Sequence, residues 1–106
     1  MSKFQEAIQQ MKEKRDKTIK EIAMFVEAES KLRSPVDTGH LRRSISHETE
    51  SDEEVSKAFV GTNVEYAPVV EMGSVVKNIK AQPFLRPSIE ENLGAIQDII
   101  KKGMST

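Results

Sequence analysis

Apolar residues in the first third of the chain recur with the period of a helix. Phe4, Ile8, Met11, Ile22, Phe25 and Leu32 fall on one stripe in steps of three and four, with Ile19, Ala23 and Val26 beside it. No glycine or proline interrupts residues 1–33, so the pattern predicts one long amphipathic helix. Arg15, Thr18 and Glu29 break the stripe, which therefore does not read as a clean coiled-coil seam. The rise from Phe4 to Leu32 is about 42 Å, against a diameter of roughly 33 Å for a compact domain of this size. The helix is longer than the body it packs on, and part of its apolar face is expected to meet another subunit.

Ser34-Pro35 ends this helix, because proline disfavours helical geometry in the residue before it. Beyond it the period shortens. Two strands are predicted, Ser44 to Glu50 and Val55 to Gly61, joined by an acidic hairpin tip at Ser51 to Glu54. Tyr66 to Met72 reads as one helical turn, with Pro68 near its start and Gly73 just past its end. Val75, Val76 and Ile79 suggest a further strand or hairpin arm within Ser74 to Ala81. In the last part, Ile89, Leu93, Ile96 and Ile100 form a second helical stripe. Pro87 suits a first helical position, Glu90 and Glu91 the positive end, Lys101 and Lys102 the negative end, and Gly103 a stop. Gly94 inside that helix suggests close approach of another backbone. The expected fold is α+β: a long N-terminal helix and a C-terminal helix packed on a small antiparallel β-sheet. Residues 1–106 form a single domain, divided into helix 1–33, a β-rich middle 34–82 and a helical end 83–103.

Composition sharpens this reading. The hydrophobic fraction is 37%, only 5% of residues are aromatic, and Trp is absent; so thin a core gains stability by sharing surface with neighbouring copies. Sixteen basic residues nearly balance seventeen acidic ones, so no global field draws the chain to nucleic acid or an anionic membrane. The absence of Cys excludes disulfide and thiolate chemistry. A charged N-terminus without an apolar segment predicts a soluble, intracellular protein with no membrane partner.

Candidate chemistry is sparse. Asp37-Thr38-Gly39 matches the triplet of aspartic proteases, in which two carboxylates share a proton. There, however, the Asp follows a hydrophobic strand, and Arg42 and Arg43 beside it would favour ionising both carboxylates. A turn, with Asp accepting local hydrogen bonds, is the better reading. His40 and His47 lack metal-ligand spacing and no glycine-rich phosphate loop is present; no cofactor, metal or catalytic residue is expected. Glu48, Glu50, Asp52, Glu53 and Glu54 lack the pattern of a calcium loop and read as a solvated tip. Arg42, Arg43, Lys57 and Arg86 could touch phosphates, but without stacking aromatics they do not make a nucleic-acid module. In Pro83-Phe84-Leu85-Arg86-Pro87 two readings stay open: a rigid entry to the last helix, or an Arg86 paired across a subunit boundary.

Three segments in order resemble a known family. A proline after a long helix, then Val36-Asp37-Thr38-Gly39, Leu41-Arg42 and Ser44-Ile45, is similar to the opening motif of small neck, head–tail joining or tail-completion proteins of tailed bacteriophages. Val60-Gly61-Thr62-Asn63, Tyr66-Ala67-Pro68, Glu71 and Gly73 resemble that family's middle motif, and Ala81-Gln82-Pro83-Phe84-Leu85-Arg86-Pro87 its third. Met72 and Ser88 depart from it, standing where the family often has an aromatic residue and an alanine. The resemblance implies a non-enzymatic virion protein, made in the host bacterial cytoplasm, that forms a ring of six or twelve copies at the head–tail junction. Its partners would be itself, adjacent neck and tail proteins, and DNA passing without sequence-specific binding. On this reading Phe4, Ile8, Met11, Phe25, Arg42 and Arg86 are candidate interface residues. The acidic tip faces the channel, and Asp37, Thr38, Gly39, Leu41, Tyr66, Glu71, Gly73, Pro83, Phe84 and Pro87 shape the scaffold. The alternative is a small intracellular protein-binding adaptor with no phage role.

Overall fold

A computed structural model describes residues 2–33, 43–62, 65–73, 76–79 and 89–105, with backbone alone at 65–67 and 76–79. The long helix, α1, runs from Lys3 to Arg33. Its start is fixed by a capping box: Ser2 Oγ accepts from Gln5 N at 3.1 Å, and Ser2 N donates to Gln5 Oε1 at 3.2 Å. Its last turn carries Lys31 and Arg33, which suit the negative end of the dipole and pair with Glu27 and Glu29 one turn back.

Four strands follow, β1 (Ser46–Ser51), β2 (Ser56–Thr62), β3 (Glu65–Met72) and β4 (Val76–Ile79), in an antiparallel sheet of order β1-β2-β3-β4. The predicted hairpin is present, with Ser46 opposite Gly61 and Ser51 opposite Ser56. Side chains alternate along β2: Ser56, Ala58 and Val60 are buried under α1, and Lys57 and Phe59 point to the other face. Tyr66 to Met72 is not the expected helical turn but most of β3. Proline is compatible with this strand because Pro68 sits at a β-bulge, Phe59 pairing with Pro68 and Ala58 with Val70, and because β4 pairs only with Val70, Glu71 and Met72. The bulge turns both Val69 and Val70 inward, where each is buried. Val76 to Ile79 takes the strand alternative.

The closing helix, α2, spans Leu93–Met104; Ile89 and Glu90 before it are also helical, and a turn at Glu91 and Asn92, in which Asn92 N donates to Ile89 O at 3.1 Å, separates them from α2. Glu90 and Glu91 therefore lie ahead of α2, Glu90 itself helical, and Pro87, the expected first helical position, lies outside the described residues. α2 runs antiparallel to α1, with Arg33 reaching Glu91 at one end and Thr18 reaching Met104 at the other. The close approach expected at Gly94 occurs at Gly103 instead. A methyl group on Gly94 would meet nothing within 4 Å. On Gly103 it would overlap Thr18 Oγ1 and sit 3.0 Å from Thr18 Cβ. Gly103 is the close contact between the helices, and the helix continues through it.

The core joins Ile19, Ile22, Ala23 and Val26 of α1 to Ala58, Val60, Val69, Val70 and Met72 of the sheet, with Ile45, Ile89 and Ile96 closing its edges. Each large aliphatic residue contributes about 1.5–3 kcal/mol by burial. No residue of α1 before Arg15 is buried. The molecule is accordingly elongated, 56 × 26 × 17 Å, with a radius of gyration of 14.9 Å against about 13 Å for a compact chain of this size.

Candidate functional site

Three features stand out: the free first turns of α1, the tip of the β1–β2 hairpin, and a buried arginine between them. The first turns form an overhang. Phe4, Ile8 and Met11 are 75%, 52% and 56% exposed, although they continue the helix face that buries Ile19, Ile22 and Val26 further along. The apolar stripe outruns the sheet. Phe25, also expected at an interface, is half-buried and packs against the core.

The hairpin divides its five carboxylates, two on β1 and three at the tip, between two roles. Asp52 builds the turn: its Oδ1 accepts from the backbone N of both Glu54 and Val55 at 2.8 Å. These two hydrogen bonds hold its carboxyl below the ordinary range. Glu48, Glu50, Glu53 and Glu54 are exposed. Glu53 reaches back 2.9 Å to Lys12 on α1. On the outer sheet face, Glu50 lies opposite Lys57 in the register, and Lys57 is 3.6 Å from Glu71.

Sequence reasoning missed the residue that joins these features. Arg15 is 6% exposed. Its Nε donates to Ser56 Oγ at 2.7 Å and its Nη2 to Asp52 O at 2.5 Å, with Asp16 Oδ1 at 3.4 Å. Ser56 donates onward to Asp16 at 2.7 Å and stands 3.0 Å from Ser51 Oγ. Partial burial raises the Asp16 carboxyl, but hydrogen bonds from Ser56, Ser51 and Arg15 together outweigh that and leave it lowered. The signal was available: Arg15 and Thr18 occupy the helix face that the stripe defines, so they mark a polar part of the core rather than its interruption.

At the other end, Arg33 binds Glu29 and Glu91, and Asn92 donates to Glu29 at 3.4 Å. The Arg33 guanidinium is pushed up, first by Glu91 and then by Glu29. His47 Nδ1 lies 3.0 Å from Glu27 Oε1, placing it beside α1. Tyr66 is described by its backbone alone. Arg42, Arg86, Asp37, Thr38, Gly39, Leu41, Pro83, Phe84 and Pro87 lie outside the described residues. Among the described residues no group of three or more His, Cys, Asp or Glu could hold a metal ion, and no helix is long and apolar enough to cross a membrane.

No curated protein and no solved structure matches the chain. A family model described as "Bacteriophage HK97-gp10, putative tail-component" matches residues 1–73, well over half of the sequence. By that match the chain belongs to the HK97-gp10-like family of phage tail components.

Proposed function

We propose that the protein is a structural virion component that assembles as a ring at the head–tail junction of a tailed phage, around the path of the DNA. Family membership supports the tail role. The observation that carries the ring is the overhang: Phe4, Ile8 and Met11 are exposed on a helix that extends beyond its own core. A closed ring needs one face of each subunit to meet a different face of the next, and the overhang is one such face. Six or twelve copies, contacting adjacent neck and tail proteins, fit the channel that DNA must pass. In this assembly the four exposed glutamates of the hairpin face the lumen, where like charge keeps phosphates from adhering.

The test is imaging of particles from a phage lacking this gene. Separate full heads and finished tails are the expected products of a missing joining ring, and normal virions would refute the reading. The lumen role is tested by changing Glu48, Glu50, Glu53 and Glu54 to Gln while Asp52, which holds the turn, is kept. Slowed DNA ejection is expected, and unchanged ejection would leave the tip as an ordinary solvated turn.

A further inference from the structure

The overhang and the end of the body meet at a corner. Ile8 and Met11 of α1 line it together with Met104 and Gly73, and its charged groups balance, Lys12 and Arg15 against Glu53 and Glu54. The corner lies against the first turns of α1, so a rod set beside that helix would fill it. The apolar residues ask for an apolar stripe, and the balanced charges leave no positive excess to draw a phosphate backbone or an anionic membrane. The protein carries a matching rod of its own, the segment from Lys3 to Lys14, about 18 Å of capped helix with Phe4, Ile8 and Met11 on one side.

We propose that a second copy fills this corner in the free protein, the two overhangs lying antiparallel about a twofold axis near Ile8. This arrangement sets Phe4 of each copy near Met11 of the other and brings the two Ile8 side chains together. It also matches charge. The start of α1 is the positive end of its dipole, with Lys3 ahead of Glu6, and it arrives beside Glu54 of the second copy, whose neighbour Glu53 is already paired with Lys12. Symmetry makes this contact twice. A parallel pairing would instead bring two positive helix ends together and leave Glu54 of each copy away from the other's Lys3. The contact is short, within the class below about 1,200 Å² that gives weak, reversible association. The dimer therefore caps the overhang before assembly and releases it on docking. It is a property of the free protein, and it stands or falls separately from the ring.

Sedimentation of the full chain at rising concentration tests the proposal. A reversible monomer–dimer equilibrium is expected. Ile8→Asp should abolish it with an unchanged helical circular dichroism signal, since Ile8 is 52% exposed. Lys3→Glu should weaken association by about threefold to tenfold, as expected for two exposed ion pairs, and adding Glu54→Lys should restore it. Spin labels report the arrangement, because the sequence has no cysteine of its own. A label at Gln9→Cys should lie within about 25 Å of its counterpart, whereas one at Ala28→Cys should be about 60 Å from its counterpart, given 1.5 Å of rise per residue. A chain that stays monomeric at high concentration, an Ile8→Asp variant that still dimerises, or two short label distances would overturn it.

Discussion

Arg15 Nε donates to Ser56 Oγ at 2.7 Å, tying the last exposed turn of α1 to the first residue of β2. The same guanidinium donates to Asp52 O in the hairpin tip. Replacing Arg15 by Met keeps the bulk but leaves the Ser56 hydroxyl, the Asp16 carboxylate and a carbonyl short of a donor. The cost should be roughly 2–4 kcal/mol, read as a lower urea midpoint. An Arg15→Met chain as stable as the parent would show that the cluster holds nothing.

The same cluster sets an acid limit. Asp16 and Asp52 both have folded-state values below their ordinary 3.8. The stability they add is thus fully present above that value and is lost as pH falls through the lower, folded one. Urea midpoints should be level between pH 5 and pH 7 and should drop below about pH 4. Asp52→Asn keeps an oxygen for the two turn amides and cannot titrate, so its midpoint should fall less steeply on acidification. An identical acid profile would remove Asp52 from the account.

The two glycines of α2 should respond with opposite sign. Gly94→Ala meets open space and should stabilise by up to about 1 kcal/mol through helix propensity. Gly103→Ala would overlap Thr18 Oγ1 and sit 3.0 and 3.1 Å from its Cβ and Cγ2, with Thr18 1% exposed, and should cost about 1–3 kcal/mol. Thr18→Ala should recover part of that loss. Thermal melts of the three variants decide it, and equal shifts at the two glycines would contradict the antiparallel contact.

A last contrast separates overhang from core. Phe4→Ser should change stability by less than about 0.5 kcal/mol because the ring is already in solvent. Ile22→Ala, on the same helix and fully buried, should cost about 2–5 kcal/mol. A comparable loss in both would mean that the first turns of α1 fold onto the body.

Much of this architecture was legible in the sequence because periodicity reports burial. The stripe predicted α1 nearly to the residue, and the two β-periodic runs predicted the hairpin. The misreadings occurred where long-range contacts decide. Pro68 looked like a helix start, and only the bulge opposite Phe59, together with the shorter partner strand, makes it a strand residue. Gly94 and Gly103 look alike in sequence; the side chain of Thr18, some 85 positions away, distinguishes them. Arg15 was read as an interruption because its partners, Ser56 and Asp52, lie far along the chain. The exposure of Phe4, Ile8 and Met11 followed from comparing helix length with body size, a geometric inference that needs no contact map.

The arginine cluster also has a mechanical consequence. Lys12 is joined to Glu53 and Arg15 to Asp52, so the root of the overhang is fastened to the hairpin tip at two successive turns of helix. A pull or tilt at Phe4 is then carried by a stiff lever directly into the acidic tip, without passing through the aliphatic core. Whatever grips the first turns of α1 also sets the angle at which those glutamates are presented.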